Sequence, residues 1–221
     1  PIPLKPCPRC WSPFGNLRKP CLLPRRSPRP ILDSMKIWRN CALATMALAF
    51  AAISETAHGW EPLFDGKSTD NWTPRAEVEI FEAKGEELHL FSKRNVWVVS
   101  KQKMKNFEVE CEVKIPLDYK GFNSGLGFRL SDGKGKPIGY QCEIDRSKPA
   151  GIYGIGMGGW LYPTKTKQEE YESLIKGLFV AENWNHFRII CKGTSVTTFL
   201  NGQQIAKVDK IKEISGHFGI Q

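Results

Sequence analysis

No uncharged, mostly apolar run in this sequence reaches the ~20 residues that a membrane-crossing helix needs. The longest, Cys41–Ile53, has 13. Histidine is scarce, four in all, and His89, His186 and His217 share no metal-ligand spacing. No second CxxC or HxxxH pair accompanies Cys7-Pro-Arg-Cys10, so that half-site reads as a chance pair in unstructured sequence. Helical patterns between strands are also missing, which excludes a parallel α/β fold. Beyond residue 57 only Cys111, Cys142 and Cys191 remain, an odd number unsuited to a disulfide framework. Each lies in an apolar alternating run and is expected in a core.

Charge is present but unevenly placed. Residues 1–57 hold nine Lys/Arg against two Asp/Glu, and residues 58–221 hold 23 against 21. The net +9 is therefore +7 from the first part and +2 from the second. A basic chain suggests nucleic acid only if the basicity lies on a folded face; here it does not, and no nucleic-acid partner is expected. Residues 1–34 are proline-rich, without helix or strand period, and read as a disordered or mis-assigned upstream segment. Met35 reads as the initiator of a signal peptide over residues 35–57. Met35-Lys-Ile-Trp-Arg39 is its basic start, Cys41–Ile53 its apolar core, and small residues near Ser54 and Ala57 its cleavage region. The expectation is a secreted or periplasmic protein with no membrane span once the signal is removed.

Residues 58–221 read as one β domain. Phe107, Val109, Cys111, Val113 and Ile115 are apolar and the residues between them polar, so one face is buried and one wet. Leu126, Phe128 and Leu130 repeat the pattern, as do Tyr140, Cys142 and Ile144. Later strands are expected over 186–192, 195–200 and 204–208, with Asn201-Gly202 a strong hairpin signal. Only Gln168–Lys176 suggests a helical turn or two. Short strands with frequent turns and no crossover helices indicate an all-β antiparallel sandwich. Gly154-Ile-Gly-Met-Gly-Gly159 formally contains G-x-G-x-x-G but has no following helix to receive a phosphate, so its glycines are read as a tight bend.

The polar faces carry the candidate chemistry. If strands 107–115, 125–130 and 140–145 are neighbours, one face gathers Glu108, Glu110, Glu112, Arg129, Gln141, Glu143 and Asp145. A purely solvating face would not be expected to place so many like charges together, and paired carboxylates are typical of sugar chemistry. Trp160 and Tyr162, beside the glycine-rich bend, and Tyr153 are candidate stacking rings. His217, after Ser215-Gly216, is a candidate acid or base. No cofactor is expected; a divalent cation, if used, would sit on Glu143 and Asp145 with backbone oxygens.

These residues bring a family into view. Trp60-Glu-Pro-Leu-Phe-Asp-Gly-Lys-Ser68 with Asn71-Trp72 resembles the opening of the 3-keto-disaccharide hydrolase family. The resemblance runs on through Asn123-Ser-Gly125 with Arg129, Gly139–Asp145, Gly151-Ile-Tyr-Gly154, Glu182-Asn-Trp-Asn185, Asn201-Gly202 and Gly219-Ile-Gln221. It implies a concanavalin A-like jelly roll and cleavage of a glycosidic bond in a sugar already oxidised at C3. A C3 ketone acidifies the C2 proton, so a base can remove it, the C1 oxygen can leave, and water can add back. On that scheme Glu143 or Asp145 is the base, Arg129 the cation facing the enolate and His217 the acid. Gln141, Asn123, Tyr153, Trp160, Tyr162 and Glu110 would contact an oligosaccharide or glycoside substrate. Two departures stand out. Gln141-Cys-Glu143 replaces the family's Glu-x-Gln, and the family continues past the position of Gln221, so the sandwich is expected to lack its closing C-terminal strand. A non-catalytic carbohydrate-binding module and a conventional glucanase are the competing readings.

Overall fold

The computed structural model describes residues 60–115 and 122–221 in full, and residues 2–5 and 11–12 by backbone alone. The proposed signal peptide and the rest of the upstream segment lie outside the described residues. Two antiparallel sheets face each other across one core. In the first, β14 (Gln203–Val208), β13 (Ser195–Leu200), β12 (Asn185–Lys192), β7 (Phe107–Val113), β1 (Ile2–Lys5), β5 (Glu87–Phe91) and β4 (Ile80–Lys84) follow in that order. Within it β2 (Trp11–Ser12) also pairs with β7. The second runs β11 (Gly159–Tyr162), β10 (Ile152–Ile155), β9 (Gly139–Glu143), β8 (Gly125–Leu130), β15 (Gly216–Ile220), β6 (Val98–Met104) and β3 (Trp72–Pro74).

The expected alternation places the core. In β12, Phe187, Ile189 and Cys191 are buried while their neighbours are half-exposed, and Val196, Thr198 and Leu200 do the same in β13. Phe128 stacks on Tyr140 with ring centroids 5.6 Å apart and meets Phe107 of the other sheet edge-on at 6.2 Å. Such contacts join the sheets by apolar burial and ring geometry together. Cys142 and Cys191 are buried and Cys111 is half-buried. Asn201 and Gly202 turn β13 into β14 with φ of 48° and 84°, the left-handed pair that a tight hairpin needs. Residues 156–158 form the bend between β10 and β11. α1 (Gln168–Ile175) covers one end, inserting Tyr171, whose hydroxyl donates to the Pro149 carbonyl at 2.8 Å. Among the described residues no helix is long and apolar enough to cross a membrane.

The expected strand neighbours need correction. β7 does not neighbour β8; the chain changes sheets between them, and β7 pairs with β12. The outward row Glu108–Glu112 therefore belongs to the opposite side of the sandwich from Glu143. There Arg188 reaches Glu108 at 2.5 Å and Glu110 at 3.4 Å, and His186 lies 3.4 Å from Glu110. Glu110 is a member of an ion network there, apart from the face that carries Glu143. Two short pieces of the upstream segment are extended strands. Ile2–Lys5 lies antiparallel to both β5 and β7, and Trp11–Ser12 pairs with β7. The edges of β5 and β7 carry backbone donors and acceptors that an extended segment satisfies, whatever its side-chain period. β15, for its part, is no edge strand: it lies between β6 and β8.

Arg129 needs the largest correction. Alternation along β8 would aim it outward, but its φ is 52°, a conformation rare outside glycine. That kink turns the guanidinium inward, where only 1% of the residue is exposed. Its Nε and Nη2 donate to the Lys105 carbonyl at 3.0 and 2.7 Å, Nη1 to Lys212 at 2.7 Å, and Nη2 again to Gly193 at 2.8 Å. Three connections, β6–β7, β12–β13 and β14–β15, are pinned by one cation. With its guanidinium buried and bonded to backbone oxygens, Arg129 is placed to hold the sandwich together. Arg129→Met would leave three carbonyls without their donor, at about 1–3 kcal/mol for each buried group. We expect a clear fall in the urea midpoint of the variant; a midpoint within error of the parent would contradict this role.

Candidate functional site

Along one stripe of the outer face of the second sheet, glycines alternate with larger residues whose side chains lie over them. Strand register sets two rows across it. One runs Gln221, Gly125, Glu143, Gly151: Gln221 N donates to the Gly125 carbonyl at 3.0 Å, Gly125 is opposite Glu143, and Glu143 N donates to Gly151 at 2.9 Å. The other runs Gly219, Gly127, Gln141, Tyr153, Trp160. With strands ~4.8 Å apart, the glycines leave a trough one side chain deep, and larger residues fill or wall it.

Gln141 lies across the floor at Gly125. A Cβ on Gly125 would fall inside the Gln141 side chain, so glycine is required there. Laid flat, Gln141 spends its amide on two partners. Its Nε2 donates to Glu143 Oε2 at 3.0 Å and to Gln221 Oε1 at 2.9 Å. Gln221 is held in turn by Ser124, whose hydroxyl donates to its backbone carbonyl at 2.8 Å. At the other side of Glu143, the Trp160 ring lies over Gly151, with Cζ3 3.2 Å from where a Cβ would be. Trp160 is 37% exposed and meets Tyr153 edge-on at 5.4 Å. Lys148 Nζ sits 4.2 Å from its ring centroid. Trp97 and Leu130 close the far side of Gly127.

Glu143 is thus a carboxyl between an amide and an indole, only 5% exposed. Burial, and secondly the nearby Asp145 carboxylate, push its pKa up to about 7. Hydrogen bonds from Ile144 N and Gln141 oppose this without cancelling it. A group poised there can both take and give a proton near neutrality. Asp145 has a different task. Its Oδ1 accepts from Ser147 N, from the Ser147 hydroxyl at 2.6 Å and from Lys148 N at 3.1 Å. It ties the turn that carries Lys148 to Trp160, and it raises the pKa of Glu143 by proximity.

The other expected residues separate. His217 lies opposite Leu130, five residues along β8 from the partner of Glu143, on the order of 15 Å away by strand rise. Its Nδ1 is 2.6 Å from the Ser100 carbonyl and its Nε2 3.0 Å from Asp132. The Asp132 carboxyl is held down at about 2 by Lys103 first and His217 second. His217 therefore fastens the β8–β9 connection and lies apart from Glu143. Tyr162 turns to α1, edge-on to Tyr171 at 5.8 Å, because the β10–β11 register shifts between Ile152 and Tyr153. Asn123 is exposed beside Ser124, at the rim. Gln221, Gly125, Gly151 and Lys148 were not foreseen as site residues. Only the glycines of β8 left a signal, as blanks on a polar face. Among the described residues no three His, Cys, Asp or Glu side chains gather closely enough to hold a metal ion.

A family model for the 3-keto-alpha-glucoside-1,2-lyase-like domain matches residues 59–221. No curated protein matches the chain. Among solved structures, a candidate glycosyl hydrolase of Parabacteroides distasonis ATCC 8503 is 18% identical, with 73% of this chain and 89% of that one covered and a TM-score of 0.50. A second such protein of that organism is 16% identical over 72% and 85%, with a TM-score of 0.47. Carbohydrate-binding module CBM66 of Bacillus subtilis is 12% identical over 68% and 86%, with a TM-score of 0.45. At these identities the first likeness speaks for the jelly-roll sandwich alone.

The raised Glu143 carboxyl carries a stability signature. The folded protein binds its proton more tightly than the unfolded chain, so stability is greatest below the unfolded value of ~4.5 and falls as pH rises through about 7. In Glu143→Gln that part of the pH dependence should vanish, a difference of at most ~3 kcal/mol between pH 4.5 and 7.5. Parallel denaturation curves for parent and variant across this range would contradict the raised pKa.

Proposed function

The chain belongs to the 3-keto-alpha-glucoside-1,2-lyase-like domain family, a carbohydrate-active family, and on that premise we propose that it cleaves the glycosidic bond of a 3-keto sugar by elimination and hydration. The observation that carries the reading is the buried Glu143 carboxyl, poised near neutrality on a glycine floor beside an exposed indole. The Trp160 face supports the apolar side of a pyranose ring, the way flat rings commonly receive sugars through C–H contact. Glu143, ionised, takes the C2 proton that the C3 ketone acidifies. The electron pair passes through the enolate and the C1–O bond breaks. The proton now on Glu143 is next to the departing oxygen on C1, so one carboxyl can close the proton balance without His217. Water then adds to C1 of the enone and returns the 3-keto sugar.

With Arg129 committed to the core, charge growing at the C3 oxygen needs other donors. The Lys148 ammonium, held at the Trp160 ring, is the candidate on the trough wall, and a preorganised donor of this kind stabilises a developing oxyanion. The signal-peptide pattern over residues 35–57 supports action outside the cytoplasm, in a secreted or periplasmic setting.

The full chain assayed on a 3-keto-glucoside tests this. Glu143→Gln should lower kcat by about 10²–10⁴, and Trp160→Ala should chiefly raise KM. Equal turnover by Glu143→Gln and parent would sink the assignment. Sugar binding without release of the leaving group would instead favour a binding module, and equal release from ordinary glucosides a conventional glucanase.

A further inference from the structure

We propose that Gln221 is a positioning residue for Glu143, acting through the Gln141 amide across the glycine gap of β8. The inference rests on the reading of Glu143 as the working carboxyl and adds a residue that does not touch it.

A primary amide has two N–H groups. Those of Gln141 have two short acceptors, Glu143 Oε2 at 3.0 Å and Gln221 Oε1 at 2.9 Å, with the Ser124 carbonyl more distant at 3.5 Å. The direction of the bond to Glu143 is therefore set by what holds the other hydrogen. Gln221 is suited to hold it, because its own backbone is fixed at both polar groups: N to the Gly125 carbonyl at 3.0 Å and O to the Ser124 hydroxyl at 2.8 Å. The anchor is rigid, the lever lies flat because position 125 has no side chain, and the load is the carboxyl. Glu143 Oε1 has a more remote donor, Ile144 N at 3.3 Å, so Gln141 is the better hold on the carboxylate. Other ionisable groups near Glu143 are Asp145 on its own chain segment, Tyr171 from α1 and the Cys142 thiol behind it. Of these only Asp145 adds a donor, its backbone N–H, and none supplies a side-chain donor that substitutes for the lever.

If the Gln221 acceptor is removed, Gln141 is free to turn, and the Glu143 anion loses part of a hydrogen bond that favours it. In the full chain, Gln221→Met keeps length and removes the acceptor. Gln221→Glu keeps an acceptor oxygen and brings a charge. Glu143 is followed by carboxyl-carbon NMR titration without substrate, and by the acidic limb of the kcat profile on the 3-keto-glucoside. The expected result is a rise of roughly one pH unit in the Glu143 titration of Gln221→Met. The kcat limb should move with it, and KM should change by less than about threefold. An unchanged titration in folded Gln221→Met overturns the inference, even where activity falls. A raised KM with an unmoved titration would make Gln221 a direct substrate contact and overturns it equally. Should Gln221→Met not fold, Gln221→Glu decides: a Glu143 titration identical to the parent's would show that position 221 is not coupled to it. Because the titration needs no substrate, absence of turnover in the parent would count against the proposed function and leave this test intact.

Discussion

The site depends on side chains that are absent. Gly125 and Gly151 flank Glu143 in the same row, and each leaves room for a neighbour's side chain to lie flat. On one side the space is filled by the Gln141 amide, on the other by the Trp160 indole. An ordinary sheet face with a Cβ at every position would lift both away from the strand, and Glu143 would be a solvated surface carboxylate. The shallow floor instead sinks Glu143 among neighbours, and burial raises its pKa. Geometry, protonation and the stacking surface thus share one cause, and it is steric.

That floor is useful only if the strands beneath it hold register. Arg129 supplies much of the hold. By kinking β8 at its last turn it places a cation inside one end of the sandwich and reverses the facing of Leu130, which joins Trp97 on the outer side. A buried guanidinium without a carboxylate is costly in general, and here backbone carbonyls from three connections offset it. His217 and Asp132 fasten the same end from outside. The molecule divides its charged residues accordingly: one end of the second sheet is for holding, the middle for chemistry.

This division explains what was legible in the sequence. Alternation in residues 107–115 and 140–144 shows which side chains enter the core, and it correctly placed Gln141 and Glu143 together on the outward face. It does not say which strand lies next to which, so Glu110 was grouped with a face on the far side of the sandwich. Nor does it reveal a non-glycine residue with positive φ. Asn201-Gly202 announces its left-handed pair by residue type, but Arg129 has no such mark, and one kink turned a supposed site cation into a core clasp. Register shifts hid His217 and Tyr162 in the same way. Gln221 was visible as a family-like motif but its partner was not, because the bond to Gln141 crosses a strand and depends on a missing Cβ.

The central claim is that Glu143 removes a proton from C2 of a 3-keto sugar. The most direct measurement follows a 3-keto-glucoside deuterated at C2, incubated with the full chain in ordinary water, by mass spectrometry or NMR. The account predicts that the parent protein washes the label into solvent as the leaving group departs, and that Glu143→Gln loses this exchange by at least about 10²-fold. Release of the leaving group with the C2 label retained, or equal washout by the variant, would contradict it.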